Sequence, residues 1–141
     1  MVSAMNTQQC PHSYILDQLR LVGLRPTRQR LALARLLFER GGQHMTAEQL
    51  HGEALRAGVR VSLATIYNTL HQFTAAGLLR EIVMDAGRSY FDTNITNHHH
   101  FFFEDSGRLE DIMDDITIMN MPCAPAGTVI RRVDVIVRLK G

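Results

Sequence analysis

The stretch VSLATIYNTL, residues 61–70, decides how the first half of this chain folds. Ser62 is a residue type that caps helix N-termini. Leu63, Ile66 and Leu70 follow at spacings of three and four, which predicts one buried stripe along a helix. The opposite face carries short polar side chains where an ordinary solvated helix carries lysine and glutamate: Thr65, Asn68, Thr69 and Gln72. That composition indicates a face that contacts something other than water.

Three further helices are predicted upstream of this one. Apolar spacing predicts the first from about Ser13 to Val22, and Thr27 caps the second. The second is expected to end at the glycine pair 41–42, and a capping box at residues 46–49, TAEQ, opens the third. The residues expected to face inward from the second and third helices are Leu31, Ala34, Leu37, Phe38, Ala47, Leu50 and Leu55.

A two-stranded hairpin is predicted after the helices, with strands at 78–84 and 88–93 around the turn Asp85-Ala86-Gly87. Helices followed by a short hairpin form the winged-helix arrangement. Its last helix enters the major groove of DNA while its hairpin flanks the phosphates. Arg80 and Arg88 of the hairpin are expected to face those phosphates. Residues 1–92 are therefore interpreted as a winged-helix DNA-binding domain.

The charge is divided unevenly along the chain. Residues 1–90 contain ten arginines and six acidic residues, a net charge of +4, whereas residues 91–141 have a net charge of −3. The planar guanidinium of arginine suits bidentate phosphate contact. The asymmetry is typical of a nucleic-acid-binding half joined to a regulatory half, and ordinary uneven surface charge accounts for it equally well.

Residues 93–141 predict a small α/β dimerisation domain, which makes the whole chain an α+β protein. A polar hinge, residues 93–97, precedes a hairpin at 99–104 and 108–112. A short irregular or helical stretch follows, and alternation then predicts a strand from Thr128 to Leu139. About fifty residues bury too little core to be stable alone, so the half-apolar sheet is expected to pair with a second copy in a homodimer.

Three consecutive histidines, His98, His99 and His100, follow the hinge, and Asp92 precedes it. Imidazole and carboxylate ligands suit divalent iron, manganese or zinc. Neighbouring strand residues point to opposite faces, so His98 and His100 share one face and His99 takes the other. All three therefore do not ligate one simple centre unless the chain bends.

These motifs resemble the ferric uptake regulator family. Residues 61–70 are similar to its recognition-helix signature, and LRPTRQR (24–30) and HMTAE (44–48) resemble its helix entries. YFD (90–92) and HHH (98–100) fall where the family places its hinge and its metal motif. The resemblance covers nearly the whole chain, and four motifs in the same order make it specific.

The resemblance implies a homodimeric repressor that binds a double-stranded DNA operator. The residues it places at the DNA are Arg30, Ser62, Thr65, Tyr67 and Asn68, with Tyr67 contacting thymine methyls or base edges. It implies a metal site of His44, Asp92 and His99 that bridges the two domains, with His98 and His100 at a second site. The implied metal is Fe²⁺, Mn²⁺ or Zn²⁺.

Two differences from classical members indicate which branch of the family this chain resembles most. Phe101 stands where classical members have a ligand, and residues 103–107 lack the Cys-x-x-Cys pairs that hold their structural zinc. The chain is more similar to the iron response regulator branch, which controls iron-uptake and haem-synthesis genes. Some of its members bind haem at a Cys-Pro motif, and Cys10-Pro11 lies ahead of the first helix here. The resemblance thus implies haem at Cys10 or at histidines 98–100, and weaker DNA binding when haem is bound.

The alternative within the superfamily is a peroxide sensor, in which bound iron oxidises a ligand histidine. An enzyme is disfavoured because no HExxH, GxSxG or P-loop pattern is present. No apolar stretch approaches the ~20 residues of a membrane span. The N-terminus lacks a signal-peptide pattern, so a cytoplasmic protein with reduced Cys10 and Cys123 is expected.

Overall fold

The computed structural model describes residues 12–39, 44–85 and 87–141. It divides into two compact units, Met1–Ile95 and Thr96–Gly141. Cys10, the glycine pair expected to end the second helix, and Ala86 of the expected turn lie outside the described residues. Within the described part, no helix is both long enough and apolar enough to cross a membrane.

The first unit combines four helices with a small antiparallel sheet. Its elements are α1 (His12–Leu21), α2 (Arg28–Phe38), β1 (His44–Met45), α3 (Ala47–Arg56), α4 (Leu63–Ala75), β2 (Arg80–Asp85) and β3 (Arg88–Asp92). The strand order is β1-β3-β2. The sheet therefore joins the predicted hairpin to a short strand that the sequence did not predict, the two residues before the α3 capping residue Thr46.

Three side-chain caps set where the helices begin. The Thr27 hydroxyl accepts the backbone N–H of Arg30, at 3.2 Å. Thr46 forms a complete capping box with Gln49, and Ser62 caps α4. All three caps confirm the sequence prediction, because each supplies an oxygen to a backbone N–H that has no partner within its helix.

The core of the first unit gathers the inward faces of all four helices and β3. Its fully buried members include Ile15, Leu19, Leu33, Leu37, Leu50, Ile66, Leu70, Phe73 and Phe91. Two expectations were wrong. Leu55 is 58% exposed and Ala54 is buried instead, because Ala54 continues the stripe of Ala47 and Leu50. Thr69 is only 5% exposed, since 100° per residue places it about 40° from Phe73, at the edge of the apolar stripe.

The hairpin corrects one arginine prediction. Arg80 is 5% exposed and lies on the inner face of β2 with Ile82 and Met84, so it does not face the surface as expected. Alternation along the strand explains this, because Arg80 is two residues before Ile82 and four before Met84 and so shares their buried face. Arg88 is exposed and forms an ion pair with Asp85 at 3.1 Å.

The second unit is a three-stranded sheet. Its strands are β4 (His99–Phe103), β5 (Arg108–Ile112) and β6 (Ile136–Leu139), in the order β5-β4-β6. The β4–β5 pair is antiparallel and confirms the predicted hairpin, whereas β4 and β6 are parallel.

The predicted strand at 128–139 is correct only from Ile136 onward, and residues 113–135 form neither helix nor strand. Parallel pairing explains this boundary. Residue His100 is the partner of Ile136, and the earlier residues of the segment run past the start of β4, where it offers nothing to pair with.

Candidate metal ligands and nucleic-acid interface

His44 and Asp92 form a buried pair in the first unit. They are cross-strand partners on β1 and β3, and His44 Nε2 lies 3.1 Å from Asp92 Oδ2. Asp92 Oδ1 accepts the backbone N–H of Asn94 at 2.9 Å. Asp92 is 0% exposed, and the partners on both of its oxygens hold the carboxylate in one orientation.

Arg80 completes a row across this sheet. It is the cross-strand partner of Asp92 on the side opposite His44. Residues directly opposite one another in antiparallel strands project to the same face. The buried Asp92 therefore has an imidazole opposite it on β1 and a guanidinium opposite it on β2.

The second unit brings His98, His100 and Asp111 together. Asp111 Oδ1 lies 3.3 Å from Nε2 of His98 and 3.3 Å from Nε2 of His100. The two imidazole centroids are 4.5 Å apart, and one ligand atom from each of the three residues lies within 4.8 Å of the others. Two imidazole nitrogens and a carboxylate oxygen thus converge on one point, a donor set that suits a divalent ion.

The hydrogen bonding of His98 favours a cation there. Its Nδ1 donates to the Thr96 carbonyl, because a carbonyl oxygen only accepts. In the neutral ring, Nε2 then carries a lone pair that faces the Asp111 carboxylate. A metal ion or a proton between them removes that repulsion, and a backbone bond of this kind is how proteins orient metal-binding imidazoles.

His99 does not join this cluster. Its Nδ1 accepts the backbone N–H of Val135 at 3.0 Å, which attaches β4 to the chain entering β6. The predicted alternation of the three histidines is confirmed. Grouping His99 with His44 and Asp92 gains no support, since its Nδ1 is already engaged inside the second unit.

Asp111 is the ligand candidate that sequence reasoning missed. It is the cross-strand partner of His100 in the β4–β5 hairpin. The predicted hairpin did not reveal it, because strands that meet around a turn at 105–107 pair residue 100 with residue 112. The observed connection has four residues, 104–107, and this shift of one residue pairs His100 with Asp111.

The residues predicted to contact DNA lie around α4. Ser62 Oγ accepts the backbone N–H of Thr65 at 3.1 Å and donates to Thr65 Oγ1 at 3.0 Å. Asn68 is exposed in the middle of the helix. The first two side chains therefore order the start of the helix, while Asn68 extends from it.

Arg30 braces this face from α2. Its Nε and Nη2 donate to Gln72 Oε1 at 3.3 and 3.0 Å, and its Nη1 donates to the Arg25 carbonyl at 2.9 Å. The guanidinium thus connects the start of α2 with the polar side of α4. Any N–H it offers to a phosphate is additional to this bracing.

Tyr67 is held from α3. Its hydroxyl donates to Glu48 Oε2 at 2.8 Å, and its ring packs against the core and lies 6.2 Å from the ring of His71. The hydrogen bond and negative charge of Glu48, with partial desolvation, raise the pKa of Tyr67 above its ordinary value. The hydroxyl is therefore neutral at physiological pH.

A comparison with known families decides the class. The model of the Ferric uptake regulator family matches residues 21–134. This chain belongs to the ferric uptake regulator family.

Relatives and solved structures agree with this membership. The ferric uptake regulation protein of Legionella pneumophila is 35% identical over 101 residues, 71% of this chain and 74% of the relative. That of Pseudomonas aeruginosa is 36% identical over 99 residues, 70% and 74% of the two chains. The structure of the Pseudomonas aeruginosa ferric uptake regulator with manganese matches with a TM-score of 0.66 and 26% identity, over 89% of this chain and 96% of that one.

The Vibrio cholerae ferric uptake regulator matches with a TM-score of 0.70 and 23% identity, over 89% of this chain and 98% of that one, and supports the fold. As a ferric uptake regulator family member, the chain is a metal-responsive transcription regulator and not an enzyme. Its fold is the family's N-terminal winged-helix DNA-binding domain followed by a C-terminal dimerisation domain.

Proposed function

We propose that this protein is an iron-responsive regulator that binds operator DNA as a homodimer and controls iron-uptake and haem-synthesis genes. The observation that carries the proposal is the convergence of His98, His100 and Asp111 in the unit that follows the hinge. The relatives named above are ferric uptake regulation proteins. Similarity to the iron response regulator branch supports the choice of target genes.

The donor set favours a small divalent ion. Two imidazoles and one carboxylate, without a thiolate, suit Fe²⁺ and Mn²⁺ and are accepted by Zn²⁺. When bound, the ion neutralises Asp111 and takes the lone pairs of both imidazoles. We propose His44 and Asp92 as candidate metal ligands within the DNA-binding unit, because they carry the same donor types and match the family motifs.

Haem is the alternative ligand for these histidines. His100 is only 1% exposed, and a porphyrin needs an axial imidazole it can approach over a wide face. Burial at His98 and His100 therefore favours an ion over haem at this cluster. Haem ligation by Cys10, outside the described residues, is carried by the sequence resemblance alone.

The proposal is tested by operator binding. Metal-free protein is titrated with Fe²⁺ (anaerobically), Mn²⁺, Zn²⁺ or haem, and operator affinity is measured in wild type, His98→Ala/His100→Ala and Asp111→Ala. Asp115→Ala is the matched control, because Asp115 is an exposed carboxylate just outside the cluster. We expect Fe²⁺ or Mn²⁺ to change operator affinity in wild type and in the control only.

Two results would count against this assignment. If DNA binding still depends on metal in both cluster variants, the cluster does not control operator binding. A response to haem alone would replace the ion with haem as the signal. The peroxide-sensing alternative has its own signature. Mass spectrometry of the iron-loaded protein after peroxide treatment would then show one added oxygen on His44 or on one of the histidines 98–100.

A further inference from the structure

Glu48 and Tyr67 connect the third helix to the predicted DNA-reading helix. Glu48 lies in the first turn of α3, two residues after the capping residue Thr46. The Tyr67 hydroxyl donates its hydrogen to Glu48 Oε2 at 2.8 Å. Both residues reach solvent, Glu48 as an exposed side chain and Tyr67 as a half-buried one. The bonded oxygen of Tyr67 therefore lies on the surface of the DNA-binding unit.

A tyrosine hydroxyl carries one hydrogen and also accepts hydrogen bonds, whereas a carboxylate only accepts. While Glu48 holds the hydrogen, the Tyr67 oxygen has only acceptor capacity left. In the major groove, adenine N6 and cytosine N4 are donors, whereas guanine N7 and O6 and thymine O4 are acceptors. The direction of the Glu48 bond thus decides which base edges Tyr67 can satisfy.

We propose that Glu48 is a specificity-determining residue that fixes Tyr67 as a hydrogen-bond acceptor, so that Tyr67 selects a base with an exocyclic amino group. The inference rests on the proposed DNA-reading role of α4. At the position Tyr67 faces, adenine or cytosine donates to its oxygen. Guanine or thymine at that base presents lone pairs to the oxygen and is disfavoured, whereas the Tyr67 ring can still contact the methyl of the thymine that pairs with a preferred adenine.

The charge of Glu48 supports this assignment over a simple bracket between helices. A carboxylate on a DNA-binding face repels phosphate, which lowers affinity for every sequence. A structural bracket does not require that cost, since a neutral acceptor such as glutamine serves as well.

The test uses the full-length protein with Mn²⁺ and a panel of all single-base substitutions of the operator it selects from a random library. The variants are Glu48→Ala, Glu48→Gln, Tyr67→Phe and the double variant Glu48→Ala/Tyr67→Phe. Glu53→Gln is the control, because it removes the same charge from the same helix, at a side chain that forms an ion pair with Arg56, 2.7 Å long, instead of a bond to Tyr67.

We expect wild type to prefer adenine or cytosine at one position of each half-site by about tenfold, the scale of one good base contact. Tyr67→Phe and Glu48→Ala should each lose that preference, and the double variant should lose no more than either alone. Glu48→Gln should lose part of it, because its amide either donates or accepts. Glu53→Gln should keep the wild-type preference.

An equal gain of affinity on all sequences in both Glu48 variants, with the base preference intact, would overturn the inference and leave Glu48 as a source of phosphate repulsion. Specific operator binding with no preference lost in Tyr67→Phe would overturn it as well. If wild type shows no specific DNA binding, both the proposed function and this inference are overturned. A spectrophotometric titration of Tyr67 checks that the Glu48 variants have lost the hydrogen bond while the fold is retained.

Discussion

Ser62 offers a way to separate helix capping from DNA contact at a residue predicted to serve in both. Its hydroxyl accepts the Thr65 backbone N–H at 3.1 Å and donates to Thr65 Oγ1 at 3.0 Å. Ser62→Ala removes both bonds. The loss of a serine cap costs about 1 kcal/mol, and for a chain of 141 residues that lowers the melting temperature by about 3–5 °C.

Ser62→Asp provides the contrast. Aspartate caps helices as well as serine, so the melting temperature should stay within about 1 °C of wild type. Its charge lies at the proposed DNA-reading face, where it repels phosphate and should lower operator affinity. Ser62→Ala should instead weaken operator binding only as far as the start of α4 loses order.

The assay is thermal unfolding followed by circular dichroism, with operator affinity measured by fluorescence anisotropy on the same samples. Ser62 does not stabilise α4 as a cap if Ser62→Ala melts at the wild-type temperature, or if Ser62→Asp loses as much stability as Ser62→Ala. Unchanged operator affinity in Ser62→Asp, at low salt, would contradict the placement of Ser62 beside DNA.

Three further outcomes follow from the contacts. Arg30→Met should lower the free energy of unfolding by about 1 kcal/mol, because its hydrogen bonds to Gln72 are lost, in addition to any loss of DNA affinity. Thermal unfolding without DNA measures this effect, and an unchanged melting temperature would contradict the bracing role. His99→Phe should destabilise the second unit by about 1 kcal/mol by leaving the Val135 N–H without its acceptor, while metal affinity by calorimetry stays at wild-type level. Tyr67 should titrate above its ordinary pKa, and absorbance near 295 nm measures this titration. The stability that its neutral form contributes is fully present below the ordinary pKa and is lost as the pH rises through the pKa of the folded state.

Local signals predicted the helices well because their causes are local. Each cap at Thr27, Thr46 and Ser62 involves a backbone N–H three residues along. The apolar stripe of α4 needed only the period of a helix. The sequence alone therefore predicts where each of these three helices begins and which side of α4 is buried.

Features that depend on strand boundaries and register were harder to predict. Arg80 was expected on the surface because arginine usually contacts solvent or phosphate, but alternation places it on the inner face of β2 with Ile82 and Met84. The length of β6 follows from where β4 begins. Contacts such as Tyr67 with Glu48, 19 residues apart, depend on how two helices pack, which no local pattern records.

Two of the candidate ligands, Asp92 and His98, bond the hinge with their second polar atoms. In the first unit, Asp92 Oδ1 accepts the N–H of Asn94. In the second unit, His98 Nδ1 donates to the Thr96 carbonyl. Each of these two side chains therefore holds hinge backbone with one atom and has a second atom that could bind a metal.

A metal ion bound by either side chain would fix the orientation of that side chain, and with it the backbone of the residue it holds. A ligand shifts a conformational equilibrium only by its differential affinity for the two states. The hydrogen bonds to Asn94 and Thr96 supply a physical source for such a difference, because a hinge conformation that breaks either bond also misplaces a metal ligand. Under the proposed function, metal affinity and hinge geometry are thus coupled through the same two side chains.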